Sequence, residues 1–218
     1  MIVVIDGPAG SGKSSTARAV AEQLQIQFLD SGALYRVATL IYLRAGKNNE
    51  LFFELLKESK ISFHFKEKTF FVFLNDTDVS KEIRTMEVSE SVSVVAAKPK
   101  VRSFVNELMH RAVEQDVYVA DGRDLGTAVF PNAALKFFMV ADLKTRAERR
   151  YAELVVQDNT VQIEDIMKNI AARDEIDSNR SADPLKKAED AIEIDTSTLN
   201  FEEQVSIICD QIKPLLTA

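Results

Sequence analysis

"IVVIDGPAGSGKSS", Ile2 to Ser15, decides the fold of this chain. Four β-branched residues end on Asp6, a glycine-rich loop follows, and the next segment has helical spacing. Gly7, Gly12, Lys13 and Ser14 satisfy G-x-x-x-x-G-K-[ST] with the strand before and the helix after that the motif requires. Glycine lets such a loop wrap closely around phosphate oxygens. Successive backbone N–H groups then point inward, and the helix N-terminus adds a favourable dipole. Lys13 would reach the β- and γ-phosphates of a nucleotide, the Ser14 hydroxyl would ligate Mg²⁺, and Pro8, Ala9, Gly10, Ser11 and Ser15 complete the phosphate-binding stretch. A chance match in a chain of this length is on the order of one in a hundred. The bland alternative is a glycine turn with an exposed lysine, and it has no use for the flanking strand and helix.

Working outward, short apolar runs alternate with helical segments, the pattern of an α/β domain with a mainly parallel sheet. Strands are expected at "IVVID", "IQFLD", "VYVAD", "LKFFMVAD" and "AIEID", ending on Asp6, Asp30, Asp121, Asp142 and Asp195. Acidic residues there fall on the edge where open α/β sheets bind ligands. Helices are expected over Lys13–Gln23, Ala33–Ala45, Pro99–Glu114, Leu143–Val155, Ile163–Asp177 and Phe201–Lys213. "ISFHFKEKTFFVFLN", Ile61 to Asn75, breaks the alternation and reads as an inserted antiparallel hairpin, followed by a helical "EIRTMEVSESVSVVAA".

Composition limits the function. Lys and Arg number 27 against 34 Asp and Glu, a net charge of −7, which argues against a broad basic footprint for nucleic acid or anionic lipid. An anionic ligand must be held by a local cluster of arginines against the overall field. Cys209 is the only cysteine, so no intramolecular disulfide forms. The N-terminus does not read as a signal peptide and no run approaches a membrane span. The expectation is a cytoplasmic protein acting as a monomer.

The acceptor must separate kinases from ATPases and switches. "DSGALYR" places Ser31 and Arg36 after the second strand, and "ADGRDLG" places Asp121, Arg123 and Asp124 after the third. Asp121 is a candidate to hold Mg²⁺ through water, and Arg123 to clamp a phosphate bidentately. A tight turn with solvated charges explains "DGRD" equally well in isolation. In "RDEIDSNR", Arg173, Asp177 and Arg180 stand at i, i+4 and i+7 on one helical face. Alone this is an exposed, ion-paired helix; beside a phosphate loop it resembles a lid bringing arginines to a transferring phosphoryl group. His64, His110 and the basic "KTRAERR" are assigned structural roles, and Phe70, Phe71 and Phe73 the core of the hairpin subdomain.

In order and spacing, "IDGPAGSGKSS", "LDSGALYR", "EIRTMEVS", "VAAKPKVR", "ADGRDLGTAVFP", "RDEIDSNR" and "IDTSTL" resemble the bacterial-type cytidylate kinase family of nucleoside monophosphate kinases. The resemblance implies a P-loop kinase core with a five-stranded parallel sheet and helices on both faces, an inserted monophosphate-binding subdomain with a small antiparallel element, and a helical lid. It divides the chain into a core (1–30, 103–147, 190–218), a monophosphate-binding region (31–102) and a lid (148–189). The implied reaction moves the γ-phosphoryl of ATP to CMP or dCMP. Carried over by position, Arg36, Arg123 and Arg180 hold the acceptor phosphate, Asp177 lies near the sugar hydroxyls, Ser93, Arg102 and Asp124 face the base, and Ser31 joins that monophosphate site. Arg173 joins Lys13 at the transferring group, and Arg149 or Arg150 with "DTSTL" frames adenine.

Two rivals remain. A P-loop kinase of another small metabolite would need fewer acceptor-side arginines. A GTPase switch would show N-K-x-D, and no asparagine in this chain precedes a lysine.

Overall fold

A computed structural model describes residues 1–114, 116–155 and 161–216. In chain order the elements are β1 (Ile2–Asp6), α1 (Lys13–Leu24), β2 (Gln27–Asp30), α2 (Ser31–Arg44), α3 (Asn49–Glu58), β3 (Ile61–Lys66), β4 (Thr69–Leu74), β5 (Thr77–Asp78), α4 (Met86–Ala96), α5 (Pro99–Ala112), β6 (Tyr118–Gly122), β7 (Leu135–Val140), α6 (Leu143–Leu154), α7 (Ile163–Asn179), β8 (Ile192–Asp195) and α8 (Phe201–Leu216). A 3₁₀ turn spans Glu82–Arg84 and a π-helical turn spans Leu125–Val129.

The five expected strands form one sheet in the order β2-β6-β1-β7-β8, every neighbouring pair parallel. β1 is central, its residues Val3, Val4 and Ile5 fully buried because a parallel sheet is covered on both faces. The chain moves from β1 to one edge and later to the other, so the loop leaving β1 lies at the switch point where such sheets open a crevice. Register brings the strand-end carboxylates together: Asp30 lies beside Asp121, and Asp6 beside Gly122. Asp142 is an exception. It lies beyond β7 and caps α6 by accepting the Thr145 N–H at 2.9 Å.

The inserted hairpin is β3 paired antiparallel with β4, joined at Glu67 and Lys68, whose φ values of 50° and 64° make the two-residue turn that matches strand twist. A second such turn at Asn75 and Asp76 adds β5, which the sequence reading does not contain; two residues leave no periodic signal. Phe65 and Phe70 meet the edge of the Phe28 ring at 5.5 and 5.8 Å, tying the hairpin to β2. The expectation that three β4 phenylalanines are core needs correction. Strand alternation buries Phe70, while Phe71 and Phe73 lie half-buried on the other face against His64.

Helix α3 is also absent from the sequence reading. Asn48 caps it by accepting the Glu50 and Leu51 N–H groups, and it buries Phe52 and Leu56. The helical stretch after the hairpin breaks at Thr85, dividing the Glu82–Arg84 turn from α4. Helices α6 and α7 have a small core of their own, formed by Ala147, Ile166 and Ile170 with Ala9 of the glycine-rich loop.

Candidate active site

The loop between β1 and α1 adopts a backbone only glycine tolerates at its ends. Gly7 has φ +153°, and a Cβ there would lie 2.2 Å from the Met139 carbonyl oxygen; Gly12, which begins α1, has φ +89°. Lys13 is buried, its Nζ donating to the Pro8 carbonyl at 3.0 Å. Burial, and then the Arg123 guanidinium, pushes the Lys13 pKa down. A phosphate would supply the counter-charge that Lys13 has only in part from Asp121 and Asp177.

The loop opens into a cavity of about 690 Å³. Eight arginines and Lys13 line it against five carboxylates, reversing locally the net charge of −7. Of the residues named from sequence, Ala9, Gly10, Gly12, Lys13, Ser14, Ser15, Ser31, Arg36, Ser93, Asp121, Arg123, Asp124, Arg173, Asp177 and Arg180 line this one space. Gly7, Pro8 and Ser11 shape the loop without lining the cavity. Arg102 lies behind it at 2% exposure, stacked 5.4 Å from the Tyr35 ring.

The acceptor side is a lattice of charge pairs. Asp124 accepts from Arg180 Nη2 at 2.6 Å on one oxygen and from Arg102 on the other. Arg180 Nε also donates to the Asp183 carbonyl at 2.7 Å, and Arg102 Nε to the Asp183 carboxylate at 2.7 Å. Arg123 Nε donates to Asp177 at 3.1 Å, and Arg36 to Ser89 Oγ at 2.9 Å and the Ile83 carbonyl at 3.2 Å. Burial raises the Asp124 pKa against the pull of Arg102 and Arg180. The i, i+4, i+7 face of "RDEIDSNR" therefore turns inward, with Arg180 at the helix cap. Arg173 alone of its three cavity residues has a buried guanidinium Nε without a partner.

Ser14 and Asp121, the residues expected to hold Mg²⁺, lie in hydrogen-bond contact. Ser14 Oγ donates to Asp121 Oδ2, while Asp121 Oδ1 is buried without a partner. Burial, and then the adjacent Asp30 charge, raises the Asp121 pKa. A divalent cation nearby would satisfy that oxygen and favour its charge, so these residues fit. Among the described residues no group of three or more His, Cys, Asp or Glu could hold a metal. That suits a cation bound chiefly by substrate phosphates and water, as Mg²⁺ is.

Arg146 and Arg18 were not among the residues expected at the site, whereas Arg149, Arg150 and "DTSTL" were expected near adenine. "KTRAERR" is not merely a basic surface: Arg146 is buried against the Ala9 and Ala141 carbonyls, and Arg149 and Arg150 line the cavity. Arg149 donates to the Thr196 carbonyl at 2.6 Å, and Thr196 in turn donates to the Ser11 carbonyl at 3.2 Å, joining "DTSTL" to the phosphate loop. Arg18 was detectable, lying one helical turn beyond Ser14. Asp6 accepts the Leu125 and Gly126 N–H groups at 2.9 and 2.7 Å, so the residue before the phosphate loop anchors the turn following Asp124. His64 does not line the cavity, and neither does His110, whose Nε2 lies 2.7 Å from the Val129 carbonyl.

A glycine-rich loop of backbone amides at the sheet's switch point, facing a guanidinium-rich acceptor cavity, defines a P-loop nucleotide kinase. Residues 3–214 match the protein family described as Cytidylate kinase. A Carboxydothermus hydrogenoformans protein named cytidylate kinase is 40% identical over 219 residues, 97% of each chain. One of the same name from Bacillus cytotoxicus is 44% identical over 206 residues, 93% of this chain and 92% of that one. The chain belongs to the cytidylate kinase family. In fold alone it is also similar to the crystal structure of an uncharacterized Eubacterium ventriosum protein, with TM-score 0.53, 14% identity and 98% of each chain covered.

Proposed function

We propose that this chain transfers the γ-phosphoryl group of ATP to CMP or dCMP in the presence of Mg²⁺, forming ADP and CDP or dCDP. The observation that carries the reading is the gathering of eight arginines opposite the phosphate loop in a chain of net charge −7. Two polyanions must meet in line, and fixed guanidinium groups remove the repulsion that otherwise keeps them apart.

Gly7 to Ser15 cradle the ATP phosphates, and Lys13 lies among them. Mg²⁺, held by those phosphates, Ser14 and, through water, Asp121, would spread the charge of the transferring group. Arg173 meets that group from the lid side with its unpartnered Nε. Arg36, Arg123 and Arg180 orient the acceptor phosphate; for Arg180 this means exchanging part of its hold on Asp124. Asp177 serves the sugar hydroxyls. Ser31 belongs to the same monophosphate site, and Ser93 and Asp124 read the base with Arg102 behind them. Cytosine carries an N4 amino donor where uracil carries an O4 acceptor, so the Asp124 carboxylate favours the first. No general base is needed, because the acceptor phosphate already presents a nucleophilic oxygen.

Residues 148–189, of which 156–160 lie outside the described residues, act as the lid and 31–102 as the monophosphate-binding region. The monomer is the working unit, since one chain supplies every cavity group named. The reaction takes place in the cytoplasm, where ATP and nucleoside monophosphates are supplied together. Among the described residues no helix is long and apolar enough to cross a membrane.

The test is to supply ATP and Mg²⁺ with each nucleoside monophosphate in turn and follow ADP. CMP or dCMP should give rapid turnover, UMP less, and no acceptor almost none. ADP release that ignores the acceptor would point to a switch or ATPase, and turnover only with a non-nucleotide acceptor would point to another metabolite.

A further inference from the structure

Asp174 lies beside Arg173 on α7, and consecutive helical side chains project about 100° apart. Arg173 lines the cavity, whereas Asp174 reaches the outer side of the phosphate loop. One carboxylate oxygen of Asp174 accepts the backbone N–H of Ala9 at 3.0 Å. The other accepts from Arg146 of α6, which also donates to the Ala9 carbonyl at 2.9 Å and to the Ala141 carbonyl at 3.0 Å. The N–H and the C=O of Ala9 are thus both held, the first by Asp174 of α7 and the second by Arg146 of α6. A Cβ on Gly10 would come within 3.1 Å of Arg146 Cβ, so the loop tip rests directly on α6.

We infer that Asp174 is the positioning residue that docks α7 onto the phosphate loop and thereby sets where the Arg173 guanidinium sits. The inference rests on the phosphoryl-transfer reading above. Among the described residues Arg173 makes no ion pair with a carboxylate, and its buried Nε has no hydrogen-bond partner. Its place follows from the helix backbone, and Asp174 ties that backbone, one residue along, to the loop that cradles the phosphates. While the Ala9 contact holds, the loop and the arginine keep one fixed relation; withdrawing α7 breaks the contact and parts them. A carboxylate is suited to this, because its two oxygens accept simultaneously from a backbone amide and a guanidinium.

The test is a double-mutant cycle in the full chain: wild type, Asp174→Ala, Arg173→Ala and the pair, with kcat and KM measured for CMP and ATP. Asp174→Ala should lower kcat about tenfold or more, with KM for CMP changed by less than about threefold, as expected when a group is misplaced by a fraction of an ångström. On the Arg173→Ala background the same change should cost less than about threefold, because its effect passes through Arg173. Losses that multiply, an unchanged kcat, or a change confined to KM for CMP would overturn the inference. Asp174→Asn keeps an oxygen for the Ala9 amide and should recover part of the Asp174→Ala loss; no recovery would overturn Ala9 as the docking contact. Hydrogen exchange at the Ala9 amide reads docking without any turnover and should quicken about tenfold in Asp174→Ala. Unchanged exchange would overturn docking even if wild type failed to phosphorylate CMP, a failure that strikes the substrate assignment instead.

Discussion

Replacing Asp124 by alanine removes the carboxylate that joins two buried arginines, and the structure sets the size of the consequence. Asp124 is 3% exposed and accepts from Arg102 and Arg180, whose side chains are 2% and 4% exposed. Neither arginine is left bare, since Arg102 keeps Asp183 at 2.7 Å and Arg180 keeps the Asp183 carbonyl at 2.7 Å. Breaking a buried pair by removing one partner costs about 3–5 kcal/mol, and these residual acceptors place Asp124→Ala near the lower end, about 3 kcal/mol. In a chain of this size each kcal/mol moves Tm by about 2–4 °C, so Tm should fall by about 6–12 °C. Asp124→Asn keeps the volume and one acceptor, and should fall less. Calorimetry on the three proteins measures the loss, and a shift below about 2 °C for alanine would refute the buried-network reasoning. The same proteins test recognition. The ratio of kcat/KM for CMP over UMP should drop in both variants, and an unchanged ratio would remove Asp124 from base reading while leaving its structural part intact.

Three further outcomes are expected. Arg180→Ala should lower turnover with CMP by more than about 10²-fold, the scale of losing a preorganised electrostatic contact; normal kinetics would leave Arg180 a purely structural role in the buried network. Gly7→Ala forces a side chain against the Met139 carbonyl at positive φ, a strain of about 1–3 kcal/mol that should weaken ATP binding about tenfold; calorimetric titration within twofold of wild type would refute it. Burial lifts the Asp6 pKa to about 6 even though the Gly126 and Leu125 amides oppose the shift. The folded state then holds a proton that the unfolded chain, near 3.8, has lost, so between these values stability falls as pH rises. The Tm of wild type minus that of Asp6→Asn should therefore grow as pH is lowered from about 7 to about 5, a window of about one pH unit on each side of 6, and a constant difference would exclude that shift.

Much of the fold was legible because it depends on local order. β1, the loop and the start of α1 carry period, turn chemistry and motif in the consecutive stretch Ile2 to Ser15, and the five strands stand out as apolar runs each closing near an aspartate. What escaped had a weak local signal. β5 is two residues long, and α3 depends on burying Phe52 and Leu56 against partners elsewhere in the chain. On β4, composition suggested three equivalent phenylalanines; which of them face the core was settled by the register with β3.

Residue types and spacing by themselves determined the phosphate loop, the parallel α/β class, the ordered family motifs and the set of arginines that must meet an anion, since each is encoded within a few turns of chain. Only the tertiary structure decided which charges face one another. Arg102, Asp124, Arg180 and Asp183 come from distant segments, as do Asp174, Ala9 and Arg146. Coulombic and hydrogen-bond energies depend on separation and burial in space, and neither quantity is a function of distance along the chain.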